Sequence, residues 1–420
     1  MAGAELGAGL GKEQDEPGSD LQQRWQQLDG WLRRHEGLWR PVPFMQPEPG
    51  WQTIHPELSQ WLASLSEAQC DDWQDNLASF SAEVSLWLPE LGRWPELVHL
   101  PELASAGGAE QATLPEVRAV DMPGRKRLQA GAFAAAAGPL CGPVLDWCCG
   151  KGHLARTLAA RGAQPVTGFE WNSTLVDEGN RLAERYRDPV TIHRQDVMAE
   201  DLPWPAGYQG VALHACGDLH RQWLVRGVEA GAPRLVLSPC CYQRTRATEH
   251  QPLSRFVGGW TGRLKIDTSA LKLAVQETVT APLRERRQGA RVRVWRLGFD
   301  ALQRKLRGVD AYWPVPSHPG WLNNENFEAF CRWAADKKGL ALPEVVDWRY
   351  WQAEGERLWH RVRRLELLRH LFRRPLELWL VLDYALFLQE QGYRVRLGTF
   401  CSRSMTPRNI LLDALRQEIA

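Results

Sequence analysis

Between Val144 and Leu237 short apolar runs alternate with helical spacings. Val144 and Leu145 end a first apolar run, and Leu154 to Arg161 follows with the period of a helix. Pro165 to Phe169, Val190 to Arg194, Gly210 to Leu213 and Arg234 to Leu237 read as four further strands. Strands and helices in strict alternation specify an α/β fold around a parallel, Rossmann-like sheet. After Tyr242 the alternation stops. The stretch 243–360 carries helical spacing at Leu297, Leu302 and Leu306 and again at Phe327, Phe330 and Trp333, which predicts a helical insertion after the fifth strand. Alternation then resumes over 361–420: a long helix from Arg361 to Gln391, with Pro375 as a kink or break, and strands at Tyr393 to Phe400 and Ile410 to Leu412. An insertion placed there forms a wall beside the fifth-strand loop, where a shared scaffold usually chooses its substrate.

Ahead of the sheet the pattern is helical. Residues 1–19 are Gly-rich, acidic and without period, as in a disordered tail. Leu21, Trp25, Leu28, Trp31 and Leu32 then recur at helical spacing behind Asp20, a suitable N-cap, until the proline run from Pro41 to Pro49. Further helices over Pro56 to Leu65, Glu67 to Phe80 and Glu83 to Leu91 complete a helical N-terminal domain over 20–103. Gly, Ala and Ser make 104–121 a linker. The core, 122–242, opens with a helix from Met122 to Ala137 in which Lys126 and Gln129 either look toward a ligand or are plain surface polar groups.

The chemistry concentrates at the strand ends. Val144-Leu145-Asp146-Trp147-Cys148-Cys149-Gly150-Lys151-Gly152-His153-Leu154 is a strand, a glycine turn and a helix start, the arrangement that lets backbone approach a nucleotide. Gly150, Gly152 and Ala155 also fit the dinucleotide pattern, and Glu170 stands where a carboxylate holds ribose hydroxyls, so the spacing leaves two cofactors open. Asp146 helps to separate them. A carboxylate at the strand tip repels a pyrophosphate and favours a ligand carrying an ammonium and a sulfonium, which describes S-adenosyl-L-methionine. The cofactor set is Asp146, Cys148, Gly150, Gly152, His153, Glu170 with Asn172 beside it, Asp196 and Val197 after the third strand, and His214 and Cys216 after the fourth. On the acceptor side stand Asp218 (a helix cap or a base), His214, Cys240 and Tyr242. Cys240 follows Pro239, so it reads either as a thiolate nucleophile toward a pyrimidine ring or, by preference, as pocket floor, with Tyr242 stacking the acceptor.

Asp146 to Leu154, Leu213 to Leu219, Ser238 to Tyr242, Ala270 to Glu277, Leu382 to Gly392 and Thr406-Pro407-Arg408-Asn409 together resemble a group of class I methyltransferases. It is the methyltransferase-domain family that includes the methyltransferase-like protein 25 group and the glutathione-S-transferase-C-terminal-domain-containing methyltransferases. The resemblance runs in patches from about Met122 onward and implies S-adenosylmethionine-dependent methyl transfer. It departs from the family at Thr406, commonly serine, and at Arg125-Lys126-Arg127, where a lysine pair is usual.

Composition changes the picture in three respects. Twenty-one tryptophans, eight of them before residue 100, point to a helical region packed through indole rings. Net charge is only +1, yet residues 1–120 hold 7 Lys and Arg against 19 Asp and Glu, while 281–420 hold 25 against 16. That asymmetry fits a basic face for nucleic acid or two halves that attract one another. The nine cysteines lack a C-x-x-C pair, which argues for a reducing cytoplasm and against both a disulfide framework and a metal site. No apolar run is long enough to span a membrane. The reading is thus a monomeric methyltransferase acting on a macromolecule, RNA or protein. The alternatives are a non-catalytic RNA-binding or assembly factor on the same fold, which would not need both Asp146 and Glu170, and a NAD-type oxidoreductase.

Overall fold

The computed structural model describes residues 18–104, 106–140, 142–277 and 283–417. Seven strands form one sheet: β1 (Gly142–Trp147), β2 (Ala163–Glu170), β3 (Val190–Arg194), β4 (Gln209–Cys216), β5 (Arg234–Cys240), β6 (Tyr393–Thr399) and β7 (Ile410–Arg416). Their order is β3-β2-β1-β4-β5-β7-β6, with β7 antiparallel to both neighbours. The Rossmann-like α/β sheet expected from the alternation is the sheet observed. Its strand order reverses between β1 and β4, because β1 leads out to β2 on one side while the chain re-enters at β4 on the other. In an open α/β sheet that reversal opens a crevice at the carboxyl ends of the strands.

Helices cover both faces. The helix Gly124–Ala137 enters β1, and His153–Ala159, Ser173–Tyr186 and Asp218–Glu229 are the crossovers. Helix Arg373–Glu390 is buried along almost its whole length between the sheet and Gly18–Arg34. The N-terminal helices do not build a core of their own. Trp25, Trp31 and Trp39 belong to one apolar cluster that also contains Leu145, Trp147 and Leu237 of the sheet. Polar anchors reinforce it: buried Asp29 accepts from the Leu264 N–H at 2.9 Å and from the Trp379 indole at 3.1 Å. The tryptophans therefore pack, as their number suggested.

Several boundaries differ from the pattern reading, each for a local reason. Gly18 and Ser19 already belong to the first helix, so Asp20 lies in its first turn instead of capping it; the rest of the expected tail is outside the described residues. Glu67 to Phe80 is two helices, because Asn76 ends one and caps the next by accepting from the Ser79 N–H. The expected linker contains the helix Ala106–Ala112, packed so closely on Gly124–Ala137 that a Cβ on Gly131 would lie 2.0 Å from Thr113 Oγ1. The long C-terminal helix breaks at Leu371 and Phe372. It divides into Trp348–His370 and Arg373–Glu390, with Pro375 in the first turn of the second, where its missing N–H costs nothing.

The insertion folds onto a satellite core of Trp295, Phe299, Phe327 and Phe330. Its helix Leu283–Arg307 crosses Trp348–His370 at two glycines. A Cβ on Gly355 would sit 2.4 Å from the Val294 carbonyl, and one on Gly298 2.6 Å from that of Trp351. Helix Trp348–His370 runs through residue 360, the expected end of the insertion, and ties it to the main core. Among the described residues no helix is long and apolar enough to cross a membrane.

Candidate active site

Six residues with left-handed backbone gather at the carboxyl ends of β1, β4 and β5: Cys148, Gly150, Gly152, His214, Gly217 and Cys241. Cys148, His214 and Cys241 are not glycines, and such strain collects where a ligand or reaction requires it. The turn after β1 is packed from below. Cβ atoms on Gly152 and Gly179 would fall 2.7 and 2.4 Å from Ile192 Cδ1, and one on Gly168 would meet Cys149 Sγ at 2.5 Å. Cys149 thus packs against Gly168, and Cys148 and Cys149 are both half-buried.

Asp146 is 2 % exposed, and its Oδ2 accepts from the Ala155 N–H at 3.1 Å, in the first turn of helix His153–Ala159. Burial raises its carboxyl to about 7, against only that one hydrogen bond. Glu170, at the tip of β2, accepts from the Gly150 N–H at 3.1 Å and from the Asn172 N–H at 2.9 Å, so the two strand ends are joined. Asn172 itself caps helix Ser173–Tyr186, its Oδ1 accepting from the Thr174 and Leu175 N–H groups. Asp196 is exposed and folds back onto the Met198 N–H at 2.9 Å, while Val197 is buried beneath it. His153 and His214 each keep a buried Nδ1 without a partner. Burial lowers both rings to about 4, assisted at His153 by Arg156 and Lys126 and at His214 by Arg408 and Lys126. Both are therefore neutral donors or acceptors, and His214 is a poor general base near neutral pH. Lys126 is near both rings; Gln129 is instead buried, donating to the Met405 carbonyl at 2.9 Å.

The acceptor-side residues need correction. Tyr242 is 4 % exposed, edge-on to His220 with its hydroxyl donating to Glu377 at 3.5 Å, so it is a core residue and cannot stack an acceptor. Asp218 follows the cap residue Gly217, and its carboxylate accepts from the Arg246 N–H at 2.8 Å, fastening the loop after β5. That loop presses on Gly217, where a Cβ would lie 1.9 Å from the Arg244 carbonyl. Cys240 is 5 % exposed, its thiol turned to the His214 carbonyl at 3.2 Å and to Cys216 Sγ at 3.4 Å. Hydrogen bonds to Cys216 and Cys241, with burial, push the Cys240 thiol up. Hydrogen bonds to Cys216 and Cys240, with Arg244 and Arg408 nearby, hold the Cys241 thiol well below its ordinary range. The three sulfurs lie within 4.8 Å of one another. Spacing along the chain argued against any metal geometry, but Cys216 joins the adjacent pair from another strand.

Residues missed in the sequence are Arg408, Arg244, Trp171 and Gln243. Arg408 reaches the Ala274 carbonyl at 3.1 Å and acts electrostatically on His214 and Cys241; its place in the final-strand motif was the available signal. Trp171 is 71 % exposed directly after Glu170. Gln243 keeps a buried Oε1 without a partner. A cleft of about 760 Å³ lies elsewhere: Phe44, Met45, Gln276, Arg293, Arg296 and Trp359 are among its lining, and no candidate cofactor residue is.

Residues 133–248 match the family model described as a methyltransferase domain. The match begins in the last turns of the helix before β1 and covers the strands β1 to β5 and the thiol cluster. Among solved structures, the 23S rRNA methyltransferase ErmE is 22 % identical over 26 % of this chain and 43 % of its own, with a TM-score of 0.23. The glycopeptide N-methyltransferase MtfA, complexed with S-adenosyl-L-methionine, is 20 % identical over 33 % and 64 %, with a TM-score of 0.23. The cyclopropane synthase MmaA2 from Mycobacterium tuberculosis is 14 % identical over 74 % and 93 %, with a TM-score of 0.25. The chain thus spans less than half the length of ErmE.

Proposed function

We propose that the chain is an S-adenosyl-L-methionine-dependent methyltransferase whose acceptor is a macromolecule. The observation that carries the reading is the carboxylate of Asp146 on the first turn of helix His153–Ala159. In a dinucleotide site the N–H groups of that turn receive the pyrophosphate. Here a buried acid already takes the Ala155 N–H, and a second anion beside it would meet repulsion. A cation beside it would be welcome, since Asp146 has no basic partner among its hydrogen bonds.

The residues present suit the cofactor. Gly150 and Gly152 leave no side chain over the turn, and the Glu170 carboxylate, already oriented by two backbone N–H groups, stands for the ribose hydroxyls. The unpartnered Nδ1 atoms of His153 and His214 supply polar groups at the crevice edges. When bound, the cofactor supplies an electrophilic methyl group on a sulfonium. An in-line displacement then needs mainly alignment and exclusion of water. The rigid turn after β1 and the loop held by Asp218 and Gly217 provide the alignment, and neutral His214 orients by hydrogen bonding instead of taking a proton.

A macromolecular acceptor is supported by the helical mass around the crevice and by the cleft lined by Arg293 and Arg296. Gln276, on the cleft wall, lies two residues past Ala274, whose carbonyl receives Arg408 from the site. The test has two stages. Calorimetry with S-adenosylmethionine, its demethylated product and NAD should give heat for the first two alone; binding of NAD alone would sink the reading. Labelled methyl transfer to an extract of cells lacking the protein, followed by nuclease or protease digestion, then tells RNA from protein.

A further inference from the structure

We propose that Cys216, Cys240 and Cys241 form a three-thiolate site for a zinc-class cation, with a fourth coordination position open to an exogenous ligand. The site stands apart from the methyl-transfer reading, because it rests on sulfur geometry alone.

Two departures from regular strand geometry build it. Along the β4–β5 ladder Leu213 pairs with Ser238, but Cys216, not Ala215, pairs with Cys240. One extra residue has been fed into β4, and His214, with a φ of 63°, is in that bulge. Without it Cys216 would stand one step beyond Cys240; with it the two sulfurs approach to 3.4 Å. The second departure is at Cys241. Successive residues of a strand point to opposite faces, so Cys240 and Cys241 should diverge. A φ of 48° at Cys241 ends the strand in a left-handed turn, and its sulfur joins the other two within 4.8 Å. Two non-glycine residues thus hold strained backbone, and the result of both is three convergent thiols.

The dimensions suit a d10 ion. Thiolates about 2.3 Å from zinc at tetrahedral angles lie about 3.8 Å apart, inside the range these sulfurs span. The redox pair Cys216–Cys240 would use two of the three and would leave the strain at Cys241 without purpose. Cys240 is buried, whereas Cys216 and Cys241 are half-buried, so an ion held there keeps one side open, as catalytic zinc sites do. Binding replaces S–H by S–metal bonds and releases the thiol protons to the buffer.

The test uses the full chain, reduced and freed of metal by a chelator. Titration with Zn²⁺ followed by calorimetry, and with Co²⁺ followed by absorbance, should each give one equivalent, the cobalt form showing thiolate charge-transfer and tetrahedral d–d bands. Cys216→Ser and Cys241→Ser should weaken binding beyond the roughly 100-fold that loss of an outer partner costs, and Cys401→Ser should not. If the variants do not fold, alkylation of the native chain decides: Zn²⁺ should protect Cys241, mapped by peptide mass, from iodoacetamide. Full binding in the Cys216→Ser, Cys241→Ser double variant, a cobalt spectrum without charge transfer, or unprotected Cys241 at saturating Zn²⁺ would each overturn the site.

Discussion

Asp146→Asn should leave the protein less sensitive to alkali and less able to hold its cofactor. Asp146 has a native value of about 7 against 3.8 for the free side chain. Because the native value is the higher, the stability it contributes is complete below the unfolded value and is lost as pH rises through 7. Protonation of Asp146 therefore stabilises the fold by about 3 kcal/mol at about pH 5 and by almost nothing at about pH 8. Asparagine carries no such proton. It keeps an oxygen for the Ala155 N–H but buries an unpaired amide, at a pH-independent cost of about 1–3 kcal/mol.

The assay is therefore the slope with pH, not the level. For a chain of 420 residues unfolding as a unit, 3 kcal/mol corresponds to about 3 °C in Tm. Between pH 5 and pH 8 the wild type should lose about 3 °C more than the asparagine variant. A cationic ligand beside Asp146 would favour its ionised form, so wild-type affinity for S-adenosylmethionine should rise roughly tenfold between about pH 5.5 and 7. Parallel Tm profiles for the two proteins would refute the argument from burial. A wild-type affinity unchanged over that window would refute the placement of the cation.

Glu170→Ala should weaken cofactor binding by about 1.5–3 kcal/mol in a calorimetric titration, the worth of hydrogen bonds to a charged group. It should also lower Tm slightly, since the Gly150 and Asn172 N–H groups lose their acceptor. Tyr242→Ala should destabilise by about 3–5 kcal/mol in denaturant unfolding, as a large buried ring is removed, while Tyr242→Phe should keep methyl transfer. A folded Tyr242→Phe without activity would return this residue to the acceptor site. Gly152→Ala should abolish cofactor binding in the same titration, because its Cβ meets Ile192 Cδ1 at 2.7 Å from a left-handed backbone that alanine resists.

The strands and the first glycine turn were legible because each is a local pattern: apolar runs of strand length, and glycines where the backbone turns left-handed. Asp146, Gly150, Gly152 and Glu170 are consequently brought together where their spacing placed them. The acceptor side was not legible, because its geometry depends on partners far along the chain. Tyr242 looked available after a strand end, yet Glu377, 135 residues later, receives its hydroxyl in the core. Cys216 and Cys240 are 24 residues apart and meet only through a bulge that no periodicity announces. The single core shared by sheet and N-terminal helices was hidden for the same reason. Helical spacing shows that Trp25 and Trp31 have a buried face but not that Trp379 and Phe372 meet it.

The uneven charge along the chain is partly explained by the same long-range packing. Acidic and basic segments could mean a free basic surface or an internal attraction, and for helix Trp348–His370 the second holds. Arg363 pairs with Glu67 and with Asp71, Arg364 approaches Glu67, and Arg361 meets Glu48 at 3.1 Å. Exposed pairs of this kind contribute about 0–1 kcal/mol each, so they orient the N-terminal helices more than they stabilise them. Arginines engaged in this way offer nucleic acid a weaker field than their number suggests, since each phosphate would have to compete with a carboxylate already in contact. In the cleft, Arg293 lies over Trp359 at 5.4 Å and Arg296 donates to the Val315 and Pro316 carbonyls, while Glu285 and Glu366 line the same space. Two arginines and two carboxylates offset one another there, so what the cleft offers a ligand is the Trp359 indole and hydrogen-bonding groups more than net charge.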